Sequence, residues 1–184
     1  MDRCIRRDIE KLAEEVCVWG GVPKKSYADT WKVVKSAALG SRHHAAPMDS
    51  GWTKVASFAS IGLPKAGCPG TEQTIWDSRV SISIIQRLDG LLVRNGFSPG
   101  SITPCPNLKM VSGMGGTRPR KLVLHWRSGA CDWPAHFAGS EVVREIRDIL
   151  NDTKNRYPRM PLPNGKSGDW DVFGVGLVLF MDGY

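Results

Sequence analysis

Residues 50–88 read SGWTKVASFASIGLPKAGCPGTEQTIWDSRVSISIIQRL, and this stretch is the basis of the predicted fold. Apolar residues recur at three- and four-residue steps on both sides of a connection rich in Gly and Pro, which predicts two helices joined by a loop. Asp77 lies at the start of the second helix, between apolar neighbours. It is therefore either a helix N-cap or a partly desolvated carboxylate positioned for chemistry.

The same periodicity extends over most of the chain. It predicts further helices over about residues 5–19, 26–38 and 141–155 and from 169 onward, with Ser26, Ser50 and Ser140 as N-caps. Residues 121–126 are too few for periodicity to distinguish a short strand from a helical turn. The predicted fold class is an all-α globule of six to seven helices in a single domain, residues 1–184. Its two lobes would be about residues 41–96 and residues 1–40 with 117–184, with a cleft between them.

Composition limits the class of protein. With 184 residues, of which 41% are hydrophobic, the chain is long enough to bury a full core. No run of about 18 apolar residues occurs, and no apolar signal-peptide core follows Met1, so we expect a cytoplasmic protein without a membrane partner. Five scattered cysteines form no Cys-x-x-Cys pair, and His125, Cys131 and His136 have no recognisable zinc spacing. We therefore expect reduced thiols and no metal site.

The net charge of +7 favours a polyanionic partner such as nucleic acid, although a basic surface also serves solubility. Many basic residues fall in predicted loops or at helix ends, whereas most acidic residues fall within helical patterns. This distribution suits loops that contact a phosphate backbone. The loop candidates for DNA contacts are Arg42, His43, Arg118, Arg120 and Lys121.

A family resemblance appears in the same central stretch. The run from Gly51 to Ala56, GWTKVA, is followed by a short connection and an Asp-x-x-Val sequence that opens the next helix. This arrangement resembles the core of the helix-hairpin-helix DNA glycosylases, in particular the 8-oxoguanine branch. The resemblance covers about a quarter of the chain and implies that Asp77 is the catalytic acid, and that Gly51, Thr53 and Lys54 contact the DNA backbone.

This chain departs from the family pattern at two places. One glycine, Gly51, replaces the two of the usual hairpin. The bifunctional members carry a nucleophilic lysine in the helix before the hairpin, whereas the comparable stretch here, residues 41–44, is SRHH. These departures favour a monofunctional enzyme. We expect it to need no cofactor and to act as a monomer on duplex or modified DNA.

Excision of a base requires a pocket that receives a flipped-out nucleotide and holds it by aromatic stacking. The aromatic candidates for this base pocket are Trp52, Trp76, Trp126 and Trp133, each of which has core packing as its alternative role. Arg79 is a candidate for phosphate binding or for an ion pair with a surface acid. The predicted function is thus a DNA N-glycosylase in which Asp77 stabilises an oxocarbenium-like transition state.

Two other classes of function remain open from sequence. A non-catalytic DNA-binding protein on the same scaffold would use Asp77 only as an N-cap. A toxin, nuclease or defence-system subunit would need clustered acids for metal or a His/Lys pair, and the acidic residues are dispersed in sequence.

Overall fold

A computed structural model of the protein describes residues 3–22, 27–38, 48–62, 71–102, 108–111, 122–127, 132–154 and 156–183. These residues form a mostly helical structure, which confirms the predicted all-α class. The six α-helices are α1 (Arg3–Trp19), α2 (Tyr27–Ala38), α3 (Ser50–Ser60), α4 (Ser78–Arg94), α5 (Trp133–Asn151) and α6 (Val172–Asp182). A 3₁₀-helix spans Leu108–Met110, and two short antiparallel strands, β1 (Met160–Pro161) and β2 (Ser167–Gly168), form a small hairpin that periodicity did not predict.

Aspartate side chains begin four of the helices. Asp49, Asp77, Asp132 and Asp171 have extended backbones and accept hydrogen bonds from the first free N–H groups of α3, α4, α5 and α6. The predicted cap Ser50 is instead the first residue of α3. Ser140 was also wrong as a cap, because it is buried in the interior of α5, which begins seven residues earlier at Trp133.

The helices pack as two groups, each around its own hydrophobic cluster. In the N-terminal helix group, α1, α2 and α3 surround buried side chains that include Cys17, Val33 and Trp52, and Trp133 at the start of α5 belongs to the same cluster. In the C-terminal helix group, α6 packs on both α4 and α5, and its core includes Trp76 and Ile85. Side chains of α3 belong to the first cluster and those of α4 to the second. The division into lobes of residues 41–96 and of residues 1–40 with 117–184 stays a prediction.

Residues 122–126, the described part of the ambiguous segment, form neither a regular strand nor a helical turn. They are held instead by the buried carboxylate of Asp89 on α4. This carboxylate accepts hydrogen bonds from the backbone N–H groups of Val123 (2.9 Å) and Leu124 (2.8 Å) and from Trp126 Nε1 (3.0 Å). None of the helices within the described ranges has the length and apolar character needed to cross a membrane.

Candidate functional site

A cavity of about 310 Å³ lies between the two helix groups, and we call it the interhelix cavity. One side is formed by the end of α1 and the middle of α3, and the other by α6 and by four residues at and before the start of α4. Its polar and charged lining residues are Lys54, Ser57, Thr74, Asp77 and Arg79. Its apolar lining comes from Trp19, Gly20, Ile75, Phe173, Gly176, Leu177 and Phe180. Mostly apolar walls with a few polar groups are typical of a small-ligand site.

Asp77 is both a helix cap and a cavity residue, so the two sequence alternatives occur together. Its Oδ1 accepts the backbone N–H groups of Arg79 (3.0 Å) and Val80 (3.1 Å), which fixes the carboxylate at the start of α4. Its Oδ2 lies 3.9 Å from Lys54 Nζ, and the side chain is 12% exposed. Capping therefore uses one oxygen and leaves the second beside the ammonium group at the cavity wall.

Lys54 on α3 places an amino group in the same cavity wall. Its side chain is 8% exposed, and Nζ also donates to the backbone oxygen of Ser50 at 3.4 Å. Burial lowers the pKa of the Lys54 ammonium because desolvation disfavours the charged form; the Asp77 carboxylate opposes this effect and the Arg79 guanidinium adds to it. Lys54 is therefore a buried amine, and the Asp77 carboxylate is the neighbour that most favours its charged form.

Glycine at position 20 makes the placement of Lys54 possible. A Cβ atom at Gly20 would lie 2.5 Å from Lys54 Cδ and 2.8 Å from Cε, closer than van der Waals contact allows. The neighbouring Gly21 has a different role, because it adopts φ +62° at the end of α1 and has open space around it. Gly21 thus turns the chain, and Gly20 leaves room for the lysine stem.

Aromatic rings from distant parts of the sequence line the cavity. Phe173 and Phe180 lie seven positions apart on α6, a spacing that places them on one helix face. The Arg79 guanidinium lies 4.7 Å from the centroid of the Phe180 ring, a cation–π contact. Trp19, 58% exposed, meets Phe58 edge to face, and Phe58 meets Phe173 in the same way, with centroid distances of 5.5 Å in both pairs. Trp19, Phe173 and Phe180 give the cavity aromatic surfaces suited to a flat ligand.

The tryptophans selected from sequence lie elsewhere. Trp52, Trp76, Trp126 and Trp133 are all buried in hydrophobic clusters, and none belongs to the lining of the interhelix cavity. Trp76 packs so closely on α5 that a Cβ atom at Gly139 would overlap its ring. The core-packing alternative therefore describes all four. The cavity aromatics Trp19, Phe173 and Phe180 were missed, and the seven-residue spacing on α6 was the sequence signal for two of them.

The proposed DNA-contact residues divide into three sets. Lys54 and Arg79 line the cavity. Gly51 and Thr53 are buried within α3, where the Thr53 hydroxyl lies 3.2 Å from the backbone nitrogen and oxygen of Trp76, so neither presents a surface to phosphate. The loop candidates Arg42, His43, Arg118, Arg120 and Lys121 lie outside the described residues.

In the part of the chain that the structure describes, no three His, Cys, Asp or Glu side chains are arranged to hold a metal ion. No protein-family model matches the chain, and comparisons with curated proteins and with solved structures also gave no match. Its function must therefore be inferred from the residues of the interhelix cavity.

Proposed function

We propose that this protein is a monofunctional DNA N-glycosylase that excises a damaged or modified base, with Asp77 as its catalytic carboxylate. The observation that carries the proposal is the position of Asp77. One carboxylate oxygen is fixed by the N–H groups of α4, and the other lies at the wall of a cavity large enough for a small ligand. A fixed charge costs no reorganisation when positive charge develops on a substrate.

The chemistry follows from the bond that breaks. Cleavage of an N-glycosidic bond builds positive charge on the sugar, which a nearby carboxylate stabilises, and the same carboxylate can orient or deprotonate the attacking water. The extruded base would lie against the aromatic walls supplied by Trp19, Phe173 and Phe180. The groups that such a reaction needs therefore line one cavity.

Lys54 acts in this proposal as the partner of Asp77. An ammonium group has no free electron pair, so the ion pair with Asp77 keeps Lys54 from attacking the sugar and leaves water as the nucleophile. The reaction should then yield an abasic site with an intact strand.

DNA as the partner is supported by the net charge of +7. Contacts between basic side chains and phosphates release counterions, so affinity should fall steeply with salt concentration. Joint replacement of Arg118, Arg120 and Lys121 should make the slope of log affinity against log salt concentration less steep. The slope should change by about 0.9 for each phosphate contact that is lost. Binding that does not depend on salt would argue for a different partner.

The proposal is tested by incubating the protein with single-stranded and duplex oligonucleotides that carry different modified bases. Alkali then reveals abasic sites as strand breaks. We expect breaks after alkali, intact strands without it, and no covalent protein–DNA adduct after borohydride treatment. A borohydride-trapped adduct that disappears in Lys54→Ala would show that the lysine is the nucleophile.

A second candidate, a non-catalytic DNA-binding protein, is favoured by one observation. Asp77 forms both hydrogen bonds of an ordinary N-cap, which gives it a sufficient role without catalysis. This candidate predicts DNA binding without excision of any base. Asparagine also caps helices, so Asp77→Asn should leave such a protein fully functional.

A further inference from the structure

Two residues that line the interhelix cavity carry buried hydroxyl groups with no hydrogen-bond partner in the described structure. These groups are Ser57 Oγ on α3 and Thr74 Oγ1 in the segment before α4, and both residues are 1% exposed. We propose that Ser57 and Thr74 are specificity-determining residues, whose hydroxyls form hydrogen bonds with the edge of a nucleobase held in the cavity. This inference rests on the proposed function and adds the residues that choose its substrate.

The backbones of both residues are engaged, and their hydroxyls are not. The Thr74 N–H group donates to Ser140 Oγ at 3.2 Å, and the Thr74 carbonyl lies 3.0 Å from His136 Nε2. The Ser57 carbonyl accepts the Ser60 hydroxyl at 2.8 Å. The backbone of each residue is therefore held by neighbours, while its side-chain oxygen is buried and has no hydrogen-bond partner among the described residues.

An unpaired buried hydroxyl is costly, because folding removes its bonds to water without replacing them. Gln73 Oε1 and Trp76 Nε1 are also unpaired, but their residues do not line the cavity. Ser57 and Thr74 combine an unpaired polar atom with a place at a site that can receive a ligand. A ligand that supplied the missing hydrogen bonds would remove the cost.

Gly176 on α6 keeps space beside one of these hydroxyls. A Cβ atom at this position would lie 2.7 Å from Thr74 Oγ1. A glycine inside a helix costs stability relative to alanine, so its presence here requires a reason. Gly176 leaves room for the Thr74 hydroxyl, which an alanine at this position would not.

The chemical class of the ligand follows from the groups present. A hydroxyl both donates and accepts hydrogen bonds, and two of them fit a heterocycle whose edge carries ring nitrogens with oxo or amino substituents. The aromatic rings of α6 suit its faces. Sites built to form hydrogen bonds reject analogues that lack the matching group, whereas apolar pockets discriminate weakly. Ser57 and Thr74 should therefore decide which bases are excised.

The test compares Ser57→Ala and Thr74→Val with the wild-type protein and with Thr74→Ser, which keeps a hydroxyl. The first readout is the thermal unfolding midpoint without ligand and with the free bases adenine, hypoxanthine, cytosine or uracil. The second is the single-turnover excision rate on oligonucleotides with different modified bases. The free bases do not require catalysis, so they test the inference separately from the proposed function.

We expect Ser57→Ala and Thr74→Val each to raise the ligand-free midpoint by about 2–4 °C, because each removes an unpaired polar group. Each should also weaken the binding of the preferred free base, and its excision from DNA, by about 3- to 10-fold. Thr74→Ser should resemble the wild-type protein in base preference. Higher stability together with weaker recognition is the pattern that a ligand-binding hydroxyl predicts.

Three results would overturn the inference: a raised midpoint with unchanged base binding and excision, a lowered midpoint, or no stabilisation of the wild-type protein by any free base. The first would show that the hydroxyls are packing defects, and the second that they have partners within the protein. If the wild-type protein excised no base but bound a free base through Thr74, the proposed function would fail and the inference would stand.

Discussion

The starts of α3 and α4 use the same local chemistry in different surroundings. Asp49 Oδ1 accepts the N–H groups of Gly51 (2.8 Å) and Trp52 (3.0 Å), as Asp77 Oδ1 accepts those of Arg79 and Val80. Asp49 is exposed, whereas the Asp77 side chain is 12% exposed and lies beside Lys54. The capping geometry is thus nearly identical, and the cavity is what distinguishes the two carboxylates.

Asp49 and Asp77 show that helix capping does not require burial of the capping carboxylate. A cap requires one oxygen and tolerates full solvation, so the burial of Asp77 beside a lysine is not explained by capping alone. The second oxygen of Asp77 and its neighbours must account for it. Variants that treat the two aspartates alike should therefore have unequal effects on activity.

The largest expected effect is that of Asp77→Asn. Asparagine keeps the size and capping ability of the side chain but removes its charge, so the single-turnover excision rate should fall by about two orders of magnitude or more while DNA binding is retained. Quenched-flow or manual single-turnover assays on the best oligonucleotide substrate measure this rate.

Asp49→Asn is the matched control for that variant. It makes the same chemical change at a cap outside the cavity lining, and its excision rate should stay within about threefold of the wild-type rate. Equal losses in the two variants would mean that the activity does not depend on the charge of Asp77 at the cavity.

Thr53 connects the two helix starts, and Thr53→Val should disturb both. Its hydroxyl accepts the Trp76 N–H group at 3.2 Å, one residue before the Asp77 cap. Loss of this hydroxyl leaves a buried N–H group unpaired and should lower the free energy of unfolding by about 1–3 kcal/mol, measured by urea denaturation. Thr53→Ser keeps the hydroxyl and should recover most of the hydrogen-bond contribution. Equal stabilities for Thr53→Val and the wild-type protein would show that the bond contributes nothing.

Gly20→Ala should move Lys54 without touching either cap. The new methyl group would overlap the lysine stem, so the ammonium must shift relative to Asp77, and we expect the excision rate to fall by about tenfold. Gly21→Ala is the control, because it strains a residue at φ +62° with no neighbour within 4 Å. It should cost about 1–2 kcal/mol of stability and leave the excision rate of the folded protein unchanged. Similar excision rates in the two variants would show that the position of Lys54 does not affect excision.

The smallest expected effect is a pH dependence of stability caused by Lys54. Its pKa in the folded protein lies below the ordinary 10.5, so between the two values the unfolded chain binds more protons than the folded chain. The stability of the wild-type protein relative to Lys54→Met should therefore rise as the pH increases through that window towards 10.5. Thermal denaturation from pH 7 to 10.5 measures this difference.

Lys11→Met serves as the surface control for that series, since the Lys11 side chain is 78% exposed. A pH trend that is the same for both lysine variants would show that burial at the cavity is not its cause.

Sequence predicted a helix boundary correctly where the capping residue stands directly next to the apolar repeat. The start of α4 at Asp77 was found in this way. The start of α5 was missed because Ser140 resembles an N-cap, while its hydroxyl in fact accepts the backbone N–H of Thr74, a contact between distant segments. The same limit applies to the site. Asp77 and Lys54 belong to a local motif, whereas Trp19, Phe173 and Phe180 meet there only through tertiary packing.

Because α6 follows the other helices in the chain, the cavity is completed late in biosynthesis. Phe173, Gly176, Leu177 and Phe180 form one wall, and the end of α6 packs so tightly on the first turn of α4 that a Cβ atom at Gly183 would overlap the Arg79 backbone. During translation, the N-terminal helix group and α4 emerge from the ribosome before this wall exists. A nascent chain that ends before α6 therefore presents Asp77 without its enclosure, and the complete site is assembled only after Phe180 has been added.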